Sequence, residues 1–183
     1  MVTAILSGCA HTVINTRTDV FQEVSPEGKI SQGYAELNIS SSLKTHKAGK
    51  YPLDEMIGNK KGTSDYALLI NIDGQVANIK GILKEENIES HFSYNPESGE
   101  GIRYIFSDNF QIKAGRHRLV VAIPEDCINI EKEVTLSEGM VNVIKLVPVY
   151  NDKSIERTRS ELLSDCYPKQ IKRFDLLLNG KLL

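Results

Sequence analysis

Tryptophan is absent from this chain, and its aromatic residues are limited to seven Tyr and five Phe. Carbohydrate-binding surfaces are often aromatic platforms, so the missing Trp weakens that class and leaves it open. Cysteine is scarce, with three in the chain, and no CxxC or Cys/His cluster is present, which argues against a metal site. There is no long basic run and the net charge is −2, which speaks against nucleic acid as the main partner. Beyond the N-terminus, no segment approaches the ~18 apolar residues of a membrane-spanning helix. Nor is there a G-x-S-x-G elbow, an H-E-x-x-H pair or a phosphate-binding loop, so no cofactor is implied. What is present is 40% hydrophobic and 25% charged, a globular balance. The length of 183 residues suits one domain or two small ones.

Turn residues and period-two patterns dominate. Val20 to Val24 reads as a short strand, and Ser25-Pro26-Glu27-Gly28 as a turn. From Gly33 to Lys44, Ala35, Leu37, Ile39, Ser41 and Leu43 alternate with Tyr34, Glu36, Asn38, Ser40 and Ser42, the mark of a half-buried strand. Residues 45–64 look like a loop, read as a solvated connection or, less readily, as a binding loop that includes Tyr51. Residues 66–83 are expected to form a hairpin about Asp73-Gly74, a pair that tolerates positive φ. Lys84 to Asn87 reads as a polar break, Ile88 to Tyr94 as a weak strand, Asn95 to Gly101 as a turn and Ile102 to Phe106 as a strand.

The best-patterned region is 110–149. Arg118 to Ile123 is a strand that Pro124 ends, and Glu131 to Leu136 and Met140 to Val149 are strands around Ser137-Glu138-Gly139. Strands at this spacing suggest an all-β sandwich. With its Ala114-Gly115-Arg116-His117 turn, Leu119-Val120-Val121 strand and a second hairpin through Val134 to Gly139, Phe110 to Pro148 resembles PEGA-type and related prealbumin-like or Ig-like envelope modules. That resemblance implies a small extracytoplasmic β-module without catalysis. After Tyr150, Asn151-Asp152 offers a helix cap. Ile155, Leu162 and Leu163 share one helical face that Tyr167-Pro168 ends. Phe174 to Leu178 reads as a last strand, and Asn179-Gly180 as a turn.

The first residues carry an address. An apolar run closes on Leu6-Ser7-Gly8-Cys9, which resembles the lipobox of bacterial lipoproteins. The resemblance implies that Cys9 is the mature N-terminus and receives several acyl chains, which anchor stably where one chain would not. Ala10, in place of Asp, then implies the outer membrane. Only eight residues precede Cys9 and none is Lys or Arg, so the sequence is expected to begin inside its signal. The alternative is a cytosolic chain with an ordinary thiol at Cys9. On the first reading, residues 1–18 hold signal remnant, lipidation site and tether. Residues 19–150 form the β-sandwich, and 151–183 a helix and strand packed on it. Cys127 and Cys166 are then candidates for a disulfide, which would stabilise by about 4 kcal/mol for a loop of about 40 residues. The alternative is two buried thiols.

Side chains with chemistry are spread widely. His117 sits in the Gly115 to Arg118 turn and has no sequence neighbour to act as its acid. It is expected to be an exposed turn residue or to hydrogen-bond a neighbouring strand. Glu85-Glu86 and Glu97/Glu100 supply carboxylates that folding could pair, as hydrolases require. Arg103, Arg116, Arg118 and Lys132 could make one basic patch.

The expectation is therefore a mainly β protein: an antiparallel β-sandwich, Ig-like or prealbumin-like, with a short C-terminal helix. Its expected role is a non-catalytic envelope lipoprotein, tethered to the membrane through Cys9. Tyr51, Arg116, His117 and Arg118 are its candidate contacts with an envelope protein or glycan. The alternatives are an envelope hydrolase using carboxylates and a glycan- or small-ligand-binding module.

Overall fold

The computed structural model describes residues 15–24, 29–47, 60–87, 95–151 and 170–183. Eleven strands account for most of them: β1 (Phe21–Glu23), β2 (Tyr34–Thr45), β3 (Ala67–Ile72), β4 (Gln75–Lys80), β5 (Ile82–Glu86), β6 (Gly101–Lys113), β7 (Gly115–Ile123), β8 (Ile128–Leu136), β9 (Val141–Tyr150), β10 (Ile171–Leu178) and β11 (Lys181–Leu182). Among the described residues the only helical pieces are 3-10 turns at Pro96–Ser98 and Pro124–Asp126. The expected helix after Asn151 falls outside the described residues, as do the Ser25 to Gly28 turn, residues 48–59 of the loop and the strand expected over Ile88 to Tyr94.

The strands divide into two sheets. The larger has the order β1-β6-β2-β9-β10-β11, with β5 beside β1 on the same edge of β6; the smaller has the order β4-β3-β7-β8. All pairings are antiparallel except β2 with β9, which run parallel from Glu36↔Val141 to Ser41↔Leu146. The alternation in β2 explains why it is central. Ala35, Leu37, Ile39 and Leu43 are buried, and so is Ser41, whose hydroxyl donates to the Leu146 carbonyl at 3.1 Å. Leu37, Phe106 and Ile144 of the larger sheet join Ile70, Leu119 and Val134 of the smaller in one apolar cluster. Two sheets thus enclose one core in a sandwich-like arrangement.

Two tight turns read from sequence are present. Asp73 and Gly74 have φ of +48° and +98°, and Asn179 and Gly180 have +50° and +81°, the doubly positive pattern of a type I′ hairpin. Four other readings are corrected. The arm leaving Asp73-Gly74 does not run on as one strand: β4 pairs with β3 in the smaller sheet, whereas β5 pairs with β6 in the larger. The chain changes sheet at Gly81, where an added Cβ would lie 3.0 Å from the Phe106 ring and 3.1 Å from the Tyr104 ring. A larger residue there would require those rings to shift by a few tenths of an ångström. The supposed polar break at Lys84 to Glu86 is the body of β5. The strand expected over Ile102 to Phe106 runs on without a break to Lys113, in a continuous ladder with β2. Finally, Val134 to Gly139 is not half of a hairpin, since β8 and β9 belong to different sheets and the chain crosses between them.

The sandwich has two ends of different character. The hairpin end holds the Asp73-Gly74 and Asn179-Gly180 turns, Ala114 and the 137–140 crossing. The opposite end holds the close of β2, both 3-10 turns and residues 60–66. The N-terminal segment docks at the hairpin end. The backbone N–H groups of Thr16 and Arg17 donate to the Gly74 carbonyl at 2.8 and 3.2 Å. The Gln75 side chain accepts from the N–H groups of Val20 and Phe21 and donates to the Phe21 carbonyl. Residues 15–18, read from sequence as tether, therefore lie against the domain.

Candidate functional site

A groove of about 430 Å³ opens at the end opposite the hairpins. Ser42, Arg103, Lys145, Val147, Tyr150 and Glu97 are among its lining residues. The β2–β6 register places Lys44 opposite Arg103. β5 brings Glu86 alongside, opposite Gly101. Glu97 comes from the 3-10 turn, which is capped by the Asn95 side chain accepting from the Glu97 N–H at 3.0 Å.

Arg103 is the hub of this groove. Its Nε and one terminal nitrogen donate to the two Glu86 oxygens at 2.7 and 3.2 Å. Its two terminal nitrogens donate to the Glu97 oxygens at 3.2 and 2.6 Å. Both forks are bidentate, the geometry that suits a guanidinium best. Lys44 lies behind, fully buried, with its ammonium 3.1 Å from Glu86 and donating to the Gly99 carbonyl at 2.5 Å. The Tyr150 hydroxyl accepts from the Lys44 N–H at 2.6 Å and donates to Glu97 at 3.0 Å.

The charges follow from these contacts. Arg103, with Lys44 assisting, holds the Glu86 carboxyl down to about 2 against the pull of partial burial. Burial raises the Tyr150 phenol, and Glu97 and Glu86 raise the guanidinium of Arg103. The two carboxylates that the sequence left unpaired thus converge on one arginine.

A second buried cluster lies at the same end, under the smaller sheet. Lys61 contacts Asp126 at 3.0 Å with both side chains almost wholly out of solvent. Tyr66 donates to the other Asp126 oxygen at 2.6 Å. The Tyr66 ring packs at a tilt against Tyr104, ring centroids 4.8 Å apart, and burial raises its phenol far above the ordinary value. Burial also raises neighbouring Glu125. Cys127 follows at φ +49° and is disulfide-bonded. Cys166 and Cys9 lie outside the described residues.

The residues singled out from sequence do not form one surface. Tyr51 lies outside the described residues. Arg116 and Arg118 are exposed on the smaller sheet and cross to Glu133 and Glu131 on β8. His117, between them, points the other way and is largely buried. Its Nε2 lies 2.7 Å from the Lys113 carbonyl, an acceptor only, so that nitrogen carries a proton. Its Nδ1 lies 2.7 Å from Asp73. Burial pushes the Asp73 carboxyl up, but the Arg118 N–H and His117 outweigh it and leave it lowered. His117 is thus a clamp between β7 and the hairpin turn, with an acid 44 residues away in sequence. The expected basic patch is not assembled. Arg103 is on the other sheet, and Lys132 donates to the Leu183 carbonyl. Lys44, Lys61, Tyr66, Asp126 and Tyr150 carried no sequence signal, because nothing in a local pattern marks a lysine for burial.

Among the described residues, no helix is long and apolar enough to cross a membrane, and no group of three or more His, Cys, Asp or Glu could hold a metal ion. Comparison of the chain with protein-family models, with curated proteins and with solved structures found no match.

Proposed function

We propose that this chain is a non-catalytic module of the bacterial cell envelope, anchored in a membrane through acylated Cys9, that binds or assembles with a partner. The observation that carries the non-catalytic part is the fourfold grip on Arg103. A hydrolase needs one carboxyl that holds a proton and a second that stays ionised. Here Glu97 of the groove and Glu86 beside it are both committed to one guanidinium, and Glu86 is held at about 2. Such a network shapes a surface rather than moving protons. A small-ligand or glycan reading has one supporting observation, the groove itself, whose volume of about 430 Å³ lies in the range of small-molecule sites.

We also infer the prealbumin-like alternative for the fold. In the Ig order the first and second strands are neighbours in one sheet. Here the first two strands, β1 and β2, share a sheet but β6 stands between them, and the other neighbour of β2 is a parallel β9.

The test is an intact mass of the native product from the membrane fraction, expressed from its own upstream region. The expected result is a chain that starts at Cys9 and carries acyl groups. An unmodified soluble product retaining Met1 would overturn the lipoprotein reading.

A further inference from the structure

The N-terminal strap and the groove lie at opposite ends of the sandwich, and this relation assigns the molecule an orientation. It rests on the lipid anchor at Cys9. From Cys9 to Asn15, where the described chain begins, a fully extended chain spans at most roughly 22 Å. Asn15 is already docked: its side-chain oxygen accepts from the Val76 N–H at 3.2 Å. Thr16 and Arg17 sit on the Gly74 carbonyl, Gln75 clips Val20 and Phe21, and β1 pairs with β6 from Phe21↔Ile112 to Glu23↔Phe110. The Phe21 ring packs on Phe110 with centroids 4.7 Å apart. Those contacts leave no slack between the short tether and the hairpin end. From Ile112, beside the strap, to Arg103 in the groove the strand runs roughly 30 Å.

We infer that the hairpin end faces the bilayer, and that the Glu97–Arg103 groove is held away from it. The occupant of the hairpin end is the lipid surface itself. Charge does not draw it there, since Arg17, Arg116 and Arg118 are each matched by Asp19, Glu133 and Glu131. The length of the chain between lipid and strap holds it. If the strap were released, the tether would lengthen by residues 15–20, and either end could then approach the membrane.

The experiment uses the full lipidated chain in phosphatidylcholine vesicles with an acceptor dye on a fraction of the headgroups. Ser137→Cys labels the hairpin end and Ser98→Cys the groove end; both serines are exposed. A sample without an added cysteine supplies the background. The expected result is about twofold more energy transfer from Ser137→Cys, as befits ends some 40 Å apart along β2. Adding Gln75→Ala should narrow that ratio towards one without detaching the protein. Equal or reversed transfer on a chain that carries its acyl mass would overturn the orientation and leave the anchor standing. An unchanged ratio in Gln75→Ala would overturn the role of the strap. A chain without acyl mass that stays off the vesicles would overturn the anchor, and the orientation with it.

Discussion

Lys44 and Lys61 are both buried at the same end of the sandwich, yet their surroundings differ. Lys61 faces Asp126, whose side chain has no exposure, and the remaining oxygen of that carboxylate is taken by Tyr66. Lys44 faces Glu86, which keeps 19% side-chain exposure and a second cation in Arg103. One pair is sealed and the other is the inner layer of a network that reaches solvent. Losing one member of a sealed pair strands a charge in a medium that cannot solvate it. Losing the inner member of the open network leaves its partner with an arginine and water.

The largest consequence is in stability. Lys61→Met should cost about 3–5 kcal/mol, because Asp126 is left without its counter-charge. Lys44→Met should cost about 1.5–3 kcal/mol, the worth of a hydrogen bond to a charged group whose partner finds other donors. Denaturant midpoints of the two variants measure the gap, and equal losses would erase the distinction.

Acid sharpens the contrast because the two regions titrate with opposite sign. Glu86 is lowered from 4.5 to about 2 in the folded state. Its contribution is present above about 4.5 and is lost as pH falls through about 2. Glu125, beside the sealed pair, is raised, chiefly by burial. Its contribution is present below 4.5 and is lost as pH rises through the raised value. Glu86→Gln should therefore flatten the acid limb of the stability–pH curve. Glu125→Gln should make the protein more stable than wild type at neutral pH and leave acid stability unchanged. Melting temperatures from pH 2 to 8 test both.

The smallest effect is expected at the surface. Arg116→Ala and Arg118→Ala remove exposed cross-strand pairs, which are screened and entropically costly to hold. No resolvable change in midpoint is expected. A loss comparable to that of Lys44→Met would mean that exposure is the wrong measure of the two lysines as well.

Much of the scaffold was legible and little of the site was. The alternation from Ala35 to Leu43 and the Asp73-Gly74 and Asn179-Gly180 turns are local features, and each appears where the residues put it. A period of two shows which face of a strand is buried but not which sheet the strand joins, so the change of sheet at Gly81 passed unseen. The same limit explains why β8 and β9 looked like a hairpin. The groove depends on Lys44, Glu86, Glu97, Arg103 and Tyr150 meeting across gaps as large as 106 residues. Composition makes such residues look like solvated surface; only the register of β2, β5, β6 and β9 brings them together.

The parallel partnership of β2 and β9 also has a bearing on time. Ser41 and Leu146 meet across 105 residues of sequence, so a chain emerging N-terminus first completes β2 on only one side once β6 is made. Until Tyr150 has followed, the other edge of the central strand presents unpaired peptide groups, the template on which chains mispair. Contacts so distant in sequence slow folding. The protein is therefore most exposed to misassembly during the interval between the synthesis of β6 and that of β9, and a holding partner would be most valuable then.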